Sequence, residues 1–436
     1  MEETARSREL FERADKVAAG GVHSDIRFFE PYPVFFSKAK GSRLWDVDGN
    51  EYVDCVVNYG SCILGHGHPE VVASVKEYLE NGITCGMETE LSVDVAEKLS
   101  KMIPCAENVK FSNTGTEAVM KSLLVARGYT GRDKIIKMEG CYNGWYDCVA
   151  VSWHPSLELA GSETAPRPVP STKGILEDAW RKTLVIPFNN IEVAEKVIKK
   201  NRNEVAALVV EPVVFNLGCV TPREGYLQAL REMTEENDVL LIFDEVISGF
   251  RMAPGGAQEY YAVKPDLATF AKAVANGFSL SLLAGREEIM QITKPGGGVS
   301  YSGLYNGNQI SLAAASATLN ILRGGDVQRH LQNLTERLTK GFTEISEDAE
   351  IPVRIQGLAG QFQVYFSDHE IVDYRTATAI DEDLFRVFQG ALMKRGIYTL
   401  PMPTFHHGIS AAHTDKDIEL ILQVFSEALE TTQETL

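Results

Sequence analysis

The chain has 436 residues, 44% of them hydrophobic, and its 60 acidic against 42 basic side chains give a net charge of −18. This length allows one large domain and a smaller one, and the acidic balance argues against nucleic acid or an anionic membrane surface as the main partner. The seven cysteines include no CxxC pair, and no segment is apolar enough for a signal core or a membrane span, which favours reduced thiols in a cytoplasmic protein.

The first 60 residues combine a helix with a small sheet. Apolar residues at helical spacing predict a helix over residues 4–18. Short strands flank the turn at Asp48-Gly49 and predict an antiparallel meander. We expect residues 1–60 to form the smaller α+β domain together with residues 324–436, where helices alternate with short strands.

Two histidines, His66 and His68, precede a helix predicted over residues 70–79. Their glycine and proline neighbours indicate a turn that leads into the helix. No carboxylate or cysteine stands at ligand spacing in the sequence, so we expect no metal site here.

Between residues 61 and 323, short apolar runs alternate with helices, and most of the runs end in polar residues. The runs cover residues 108–112, 134–138, 206–212, 237–245 and 265–272. Buried runs of this kind are typical of parallel strands, and open α/β sheets bind ligands at the carboxyl ends of such strands. The pattern predicts an α/β large domain with a mostly parallel sheet and one site along its edge.

The central feature of that edge is a carboxylate and an amine at the ends of two successive runs. Asp244 ends one run and Lys272 ends the next. The pair suits pyridoxal phosphate, because a lysine can form a Schiff base with its aldehyde while an aspartate holds the protonated ring nitrogen. Either residue alone is more simply a helix cap or a solvated lysine, so the hypothesis depends on both and on the segments around them.

Two further segments fit a planar, anionic cofactor, and a third suggests a lid. Thr114-Gly115-Thr116 opens a helix whose free N–H groups and hydroxyls suit a phosphate, although an ordinary helix cap has the same pattern. Tyr142 follows a strand and either stacks on a ring or packs its own loop. Residues 153–180 are rich in Pro, Gly, Ser and Thr and predict a lid or a disordered loop.

These residues belong to motifs that resemble the class III, fold-type I pyridoxal-phosphate aminotransferases over nearly the whole chain. Within this family the chain is most similar to the glutamate-1-semialdehyde 2,1-aminomutases. The motifs include LWDVDGNEYVD (44–54), SNTGTEAV (112–119), EGCYNGWYD (139–147), DEVISGFR (244–251) and AAHTDKDIE (411–419). Together they are specific for the fold and the cofactor and much less so for the substrate.

The resemblance implies a role for each matching residue. Lys272 would bind the cofactor and carry the proton, and Asp244 would pair with the ring nitrogen. The other cofactor contacts would be Thr114, Gly115, Thr116, Tyr142, Glu211, Asn216 and Val246, joined across a homodimer interface by Gly303 and Leu304 of the second subunit. The substrate pocket would contain Ser24, Arg27, Tyr59 and His406, with Arg27 on the substrate carboxylate.

Four positions depart from the aminomutase pattern. His406 replaces a pocket glutamate, Tyr59 a tryptophan, Asn143 a histidine and Leu304 a threonine. These changes favour an intermolecular aminotransferase that moves an amino group between a keto acid and a carboxylate-bearing amine, meaning a β- or ω-amino acid or an amino-aldehyde. The intramolecular aminomutase is the alternative. A racemase or decarboxylase on the same scaffold and a catalytically silent binding protein also stay open.

Overall fold

A seven-stranded sheet forms the centre of the molecule, for which a computed structural model describes residues 4–83, 86–347 and 349–435. In chain order its strands are β4 (Asn108–Ser112), β5 (Lys134–Met138), β8 (Thr183–Ile186), β9 (Val205–Val210), β10 (Leu240–Glu245), β11 (Leu267–Phe270) and β12 (Ser281–Gly285). Their spatial order is β4-β12-β11-β10-β9-β5-β8. Every residue of β9 and β10 is buried, as expected for central strands that are covered on both faces.

Six of the seven strands run in the same direction. The pairs β10–β11, β10–β9, β5–β9 and β5–β8 are parallel. Only β12 is reversed, because it pairs antiparallel with both β11 and β4. The predicted mostly parallel α/β sheet is therefore confirmed, and the polar residues that follow β4, β5, β9, β10 and β11 all reach the same edge.

Helices connect the strands of the large sheet and pack beside the smaller sheets. In chain order they are α1 (Ala5–Asp15), α2 (Pro69–Glu80), α3 (Glu90–Met102), α4 (Gly115–Thr130), α5 (Glu177–Trp180), α6 (Ile191–Asn201), α7 (Tyr226–Glu236), α8 (Ala257–Tyr260), α9 (Glu287–Met290), α10 (Gln309–Leu322), α11 (Asp326–Glu347), α12 (Tyr374–Thr378), α13 (Glu382–Lys394) and α14 (Asp415–Gln433). Short 3₁₀ turns occupy Ala19–Gly21, Asp25–Arg27, Phe215–Leu217, Lys272–Ala275 and Gln291–Thr293. None of the helices in the described part of the chain combines the length and the apolar character that crossing a membrane requires.

Two smaller sheets lie beside the large one, and one of them joins the two ends of the chain. One contains β1 (Phe36–Lys40), β2 (Arg43–Asp46) and β3 (Glu51–Asp54), which form the predicted antiparallel meander, and β15 (Ile397–Tyr398), which pairs parallel with β3. The other contains β13 (Arg354–Leu358), β14 (Gln361–Tyr365) and β16 (His407–Gly408). The amino- and carboxyl-terminal segments therefore pack together beside the large sheet.

The predicted helices differ from the observed ones mainly at their ends. The helix expected over residues 4–18 ends at Asp15, because the chain enters a 3₁₀ turn at Ala19–Gly21. The segment 153–180 contains a two-stranded hairpin, β6 (Gly161–Ser162) with β7 (Ala165–Pro166), and the one-turn helix α5.

Six of the seven cysteines are buried, unpaired thiols, and Cys85 lies outside the described residues. His66 Nε2 lies 2.6 Å from Asp54 Oδ2, a carboxylate twelve residues earlier in the sequence. Within residues 4–83, 86–347 and 349–435, no three His, Cys, Asp or Glu side chains are grouped so as to hold a metal ion.

Candidate active site

A cavity of about 280 Å³ opens at the carboxyl ends of β4, β5, β9, β10 and β11. Nine residues predicted from the sequence line it together, namely Thr114, Gly115, Thr116, Tyr142, Glu211, Asn216, Asp244, Val246 and Lys272. They come from five different strand ends and meet because those strands run in one direction. The prediction of a single site along the sheet edge is consistent with this arrangement.

Asp244 lies at the floor of the cavity and is held by three hydrogen bonds. Asn143 Nδ2 donates to Oδ2 at 2.8 Å, while the Val246 N–H and the Thr269 hydroxyl donate to Oδ1, each at 3.2 Å. Burial raises the pKa of Asp244, and these three donors lower it by stabilising the carboxylate. The carboxyl group is therefore fixed in position and available to a cationic N–H group in the cavity.

Lys272 follows β11 and has a strained backbone. Its φ is +46°, in the left-handed region that residues with a side chain seldom adopt. Burial, aided by the charge of Arg251, lowers the pKa of its amine to about 8, although Glu211 and Asp244 act in the opposite sense. A substantial neutral fraction near physiological pH is what a nucleophilic or proton-accepting lysine requires.

Glu211 and Asn216 form a hydrogen-bonded pair across the cavity from the amine. Asn216 Nδ2 donates to Glu211 Oε2 at 2.9 Å. Burial first, and then the charge of Asp244, raises the pKa of Glu211 to about 8, so the group carries a proton at neutral pH. Its Oε1 is buried and has no hydrogen-bond partner among the described residues, which suits a polar ligand atom.

The start of α4 forms a backbone cradle at one end of the cavity. Thr114 is the N-cap, and its hydroxyl accepts from the Glu117 N–H at 3.2 Å. A Cβ on Gly115 would approach both methyl groups of Val246 to 3.1 Å, so glycine lets these two segments meet. Free N–H groups at the first turn of a 16-residue helix are a suitable site for a phosphate.

Gly144 completes this cradle from the other side. A Cβ at this position would lie 2.8 Å from both Thr116 Cα and Thr116 Oγ1, and its φ is +102°. Its neighbour Trp145 donates its N–H to the Thr116 hydroxyl at 3.1 Å. Tyr142, two residues before Gly144, also lines the cavity, and its ring is edge-on to Trp153 at 5.0 Å between centroids. The loop after β5 is therefore fastened directly to the helix start.

The four predicted substrate residues are outside this cavity lining. Ser24 is half-buried and Arg27 is exposed, both on the loop after α1. The Tyr59 hydroxyl donates to the Ile26 carbonyl at 3.0 Å, which fixes that loop beside residues 57–60. His406 is buried, and its Nδ1 donates to the Phe215 carbonyl at 2.9 Å.

Gly303 and Leu304 are both exposed and do not line the cavity of their own chain. Leu304 is 63% exposed and lies near Gly86, where an added Cβ would be 3.5 Å from Leu304 Cδ1.

Sequence analysis missed several residues of the site. Asn143 was named only as a departure from the aminomutase pattern and Thr269 was not named, yet both donate to Asp244. Ser61, Ile247, Phe278, Ser279 and Leu280 also line the cavity. Thr269 could have been found, because it pairs with Asp244 in a parallel register and so faces the same way. Residues 278–280 gave no such signal, since they precede the one reversed strand of the sheet.

The comparison with protein families decides the identity of this arrangement, since the Aminotransferase class-III model matches residues 28–428. The chain belongs to the class-III aminotransferases. It is 43% identical over 424 residues to a glutamate-1-semialdehyde 2,1-aminomutase of Methanothermobacter thermautotrophicus, covering 97% of this chain and 99% of that protein.

Two solved structures share the fold over almost the full length. One is an omega-transaminase from Sphaerobacter thermophilus, with a TM-score of 0.94, 32% identity, and coverage of 99% of this chain and 98% of that one. The other is a beta-phenylalanine aminotransferase from Variovorax paradoxus, with a TM-score of 0.87, 26% identity, and coverage of 97% and 93%. The predicted fold-type I transferase architecture is confirmed.

Class-III aminotransferases use pyridoxal phosphate, and the residues of this cavity fit it. When bound, the cofactor supplies an aldehyde that captures amines and a ring that accepts electrons. For this chain, the fit rests on the glycine cradle at Gly115 and Gly144, the unpartnered Oε1 of Glu211 and the fixed carboxylate of Asp244. Lys272 would hold the aldehyde end and, as a free amine, accept or return a proton.

Proposed function

We propose that this class-III aminotransferase moves an amino group between a carboxylate-bearing amine and a keto acid in two separate half-reactions. The amine would be a β- or ω-amino acid or an amino-aldehyde. The names of the Sphaerobacter and Variovorax relatives, an omega-transaminase and a beta-phenylalanine aminotransferase, support a donor whose amine lies away from the α-carbon.

The observation that carries this proposal is the state of His406. Its Nδ1 donates to Phe215, and burial together with the charge of Lys272 keeps its pKa well below the usual range, so the ring is neutral. An intramolecular aminomutase must retain a diamine until the amino group returns to the same skeleton. A neutral imidazole attracts an ammonium group less than the glutamate of the aminomutase pattern would, which favours release of the product amine.

We propose that Arg27 binds the substrate carboxylate and that Ser24 and Tyr59 line the same pocket. Tyr59 links its turn to the loop of Arg27 through the Ile26 carbonyl. Replacing Arg27 with Met should raise the KM for carboxylate-bearing amines and leave the matching decarboxylated amines unaffected. An equal change for both kinds of amine would contradict this role.

We also propose a cytoplasmic homodimer in which Gly303 and Leu304 reach the second subunit's cavity. Exposed apolar side chains near this segment support it, including Met87, Leu304 and Tyr305 at 76, 63 and 56% exposure. Light scattering should give twice the chain mass, and Leu304→Glu should shift it toward a monomer. The domain limits at residues 60 and 323 stay a proposal, supported by the pairing of β3 with β15.

A single experiment separates the proposed reaction from the aminomutase alternative, which the 43% identity to an aminomutase favours. The holoenzyme is mixed with a large excess of one amino donor and no keto acid. An aminotransferase stops after one equivalent of product per site and resumes when a keto acid is added. An aminomutase converts glutamate-1-semialdehyde continuously under the same conditions, and that result would overturn the proposal.

A further inference from the structure

The segment that carries Lys272 ends at a second residue with left-handed backbone, Asn276. The 3₁₀ turn Lys272–Ala275 stops there, and Asn276 has φ and ψ values of 46° each. Its side chain lies inside the protein, because the residue is only 7% exposed. The backbone alone explains an asparagine or a glycine at this position, but a buried amide group also needs hydrogen-bond partners.

The amide of Asn276 bonds to the backbone of a segment far earlier in the chain. Its Oδ1 accepts from the Leu64 N–H at 2.9 Å, and its Nδ2 donates to the Gly65 carbonyl at 3.1 Å. One side chain therefore uses its acceptor and its donor on two successive residues. This double contact fixes the position of residues 64–65 relative to the 3₁₀ turn of Lys272.

The next residue, Gly277, lets the two segments approach each other closely. Its φ is +98°, and a Cβ at this position would lie 3.0 Å from Cys62 Sγ and 3.8 Å from Asn58 Nδ2. Asn58 Nδ2 donates to Cys62 Sγ at 3.2 Å, and the Cys62 N–H donates to the Val57 carbonyl at 3.1 Å. The contact made by Asn276 therefore continues along the earlier segment as far as residue 57.

Residues 57–60 form a strained turn, which we call the left-handed turn. Its four residues have successive φ values of 45°, 53°, 56° and 82°, and only the last of them is glycine. This conformation costs a residue with a side chain roughly 1–2 kcal/mol. Three such residues in succession need tertiary contacts that hold them, and strain of this kind is concentrated at functional sites.

The left-handed turn is anchored on both sides. On the side of the small sheet, Asp54 Oδ1 accepts from the N–H groups of Val56 and Val57 at 2.8 and 3.0 Å. On the side of the cavity, the turn is joined to the segment that Asn276 holds. Removal of the Asn276 amide would leave the turn attached to the small sheet and loosen it from the segment of Lys272.

The left-handed turn also reaches the cofactor cavity and the proposed carboxylate site. Ser61, directly after the turn, lines the cavity. The Tyr59 hydroxyl donates at 3.0 Å to the carbonyl group of the residue before Arg27. A continuous series of contacts therefore leads from Lys272 through Asn276 and the turn to Arg27.

We propose that Asn276 is a positioning residue that sets the distance between the amine of Lys272 and the carboxylate site at Arg27; this rests on the proposed function. A substrate held at Arg27 meets the reacting groups in one orientation, so a small displacement of the amine relative to that site lowers the rate. A donor without a carboxylate is not held at Arg27 and does not depend on this distance. Asn276 therefore contributes to the preference for carboxylate-bearing amines through the turn.

The test replaces Asn276 with glycine, which removes the amide group and still accepts a left-handed backbone. The second-order rate constant of the first half-reaction is measured on the holoenzyme from the absorbance of the cofactor. The donors are β-alanine paired with ethylamine, and 4-aminobutanoate paired with propylamine. We expect Asn276→Gly to lower the constants of both amino acids about 10-fold or more and to leave those of the simple amines within about 2-fold.

The matched control is Asn189→Gly. Asn189 also has a left-handed backbone, with a φ of +61°, and its Nδ2 donates to the carbonyl groups of Thr221 and Val372, each at 3.0 Å. It is not part of the cavity lining, so its replacement should leave all four rate constants unchanged. A general loss of stability would not separate the two kinds of donor.

Hydrogen–deuterium exchange reads the contact independently of activity. Because the Leu64 N–H donates to Asn276, Asn276→Gly should accelerate the exchange of peptides that cover residues 57–65, whereas Asn189→Gly should not. If Asn276→Gly does not fold, Asn276→Asp keeps the acceptor, loses the donor and should show the same selective loss to a smaller extent. In a variant that already carries Arg27→Met, Asn276→Gly should cause no further loss with β-alanine.

Three outcomes would overturn the inference. They are an equal loss for amino acids and simple amines, unchanged exchange of residues 57–65 in Asn276→Gly, and additive losses in the variant with Arg27→Met. The proposed function is scored separately by the wild type and by Arg27→Met. Transfer from β-alanine that Asn276→Gly leaves unchanged refutes the positioning role alone. Absence of transfer from carboxylate-bearing amines refutes the proposed function alone, and the exchange rates then still decide whether Asn276 holds the turn.

Discussion

Glu211 should make the cofactor-free protein less stable as the pH rises from about 4 to 8. The pKa of Glu211 is raised to about 8 by burial and then by the charge of Asp244, whereas a glutamate in an unfolded chain titrates near about 4.3. Between these values the native state binds more protons than the unfolded state, so the free energy of unfolding falls with rising pH. At about 1.36 kcal/mol per pKa unit, the loss is at most about 5 kcal/mol.

The assay is urea unfolding of the wild type and of Glu211→Gln between pH 4.5 and 8, after removal of the cofactor. Near pH 4.5 the wild-type carboxyl group is neutral like the amide, so the two proteins should be similarly stable. At pH 8 the variant should be the more stable one by several kcal/mol. Glu232→Gln, which changes an exposed carboxylate bonded to Gln228, should leave the wild-type profile unaltered. Parallel profiles for the wild type and Glu211→Gln would refute the reasoning.

Three other predictions concern the amine, the cradle and the ion pair that fastens the long loop. Lys272→Ala should lower the rate of amine transfer by at least about 10³-fold. Borohydride should then trap no cofactor adduct on the peptide that contains position 272. A wild-type adduct on another peptide would contradict the assignment. Gly144→Ala should weaken cofactor retention, because the new Cβ would lie 2.8 Å from Thr116 at the helix start. The control is Gly49→Ala, which is also at positive φ but has open space around it and should retain the cofactor normally. Retention is measured by the cofactor absorbance that remains after dialysis. Arg375→Met should lower the free energy of unfolding by about 3–5 kcal/mol, because it leaves Glu139 buried without the guanidinium that contacts both its oxygens. A double-mutant cycle with Glu139→Gln, measured by urea unfolding, should show strong coupling between the two residues. Additive losses of stability would contradict the prediction.

Five of the seven strands could be predicted because each is a short apolar run with a polar ending, whereas β8 and the reversed strand β12 were not predicted. β10 ends at Asp244–Glu245 and β11 is followed by Lys272, as their sequence pattern indicated. Since the two strands are parallel neighbours, the two chemical groups had to meet. Local sequence is sufficient here, because strand direction alone determines which ends share an edge.

The arrangement of side chains around Gly60 could not be predicted in this way. Arg251 is part of the segment 244–251 that carried the resemblance, yet nothing near it in sequence indicates that it faces Gln361 and His406, over a hundred residues later. The left-handed turn at residues 57–60 was also invisible, because Val57 and Tyr59 favour extended backbone. Tertiary packing overrides local preference at these positions, and sequence patterns do not report it.

The protonation of Glu211 and that of Lys272 depend on each other, and this coupling explains how a buried amine can be reactive beside two carboxyl groups. Were both Glu211 and Asp244 charged, their attraction would hold the proton on Lys272 and leave little free amine. Burial and the charge of Asp244 raise the pKa of Glu211 to about 8. Burial, aided by Arg251, lowers the pKa of Lys272 to about 8, although the charges of Glu211 and Asp244 oppose this. A Glu211 that is protonated at neutral pH opposes it less than a carboxylate would. A neutral Glu211 with a neutral amine has the same net charge as the carboxylate with an ammonium group, so both distributions of the one proton leave the charge of the cavity the same. Burial of Glu211 therefore favours the neutral amine in addition to the burial of the lysine itself, which is the largest cause of its lowered pKa.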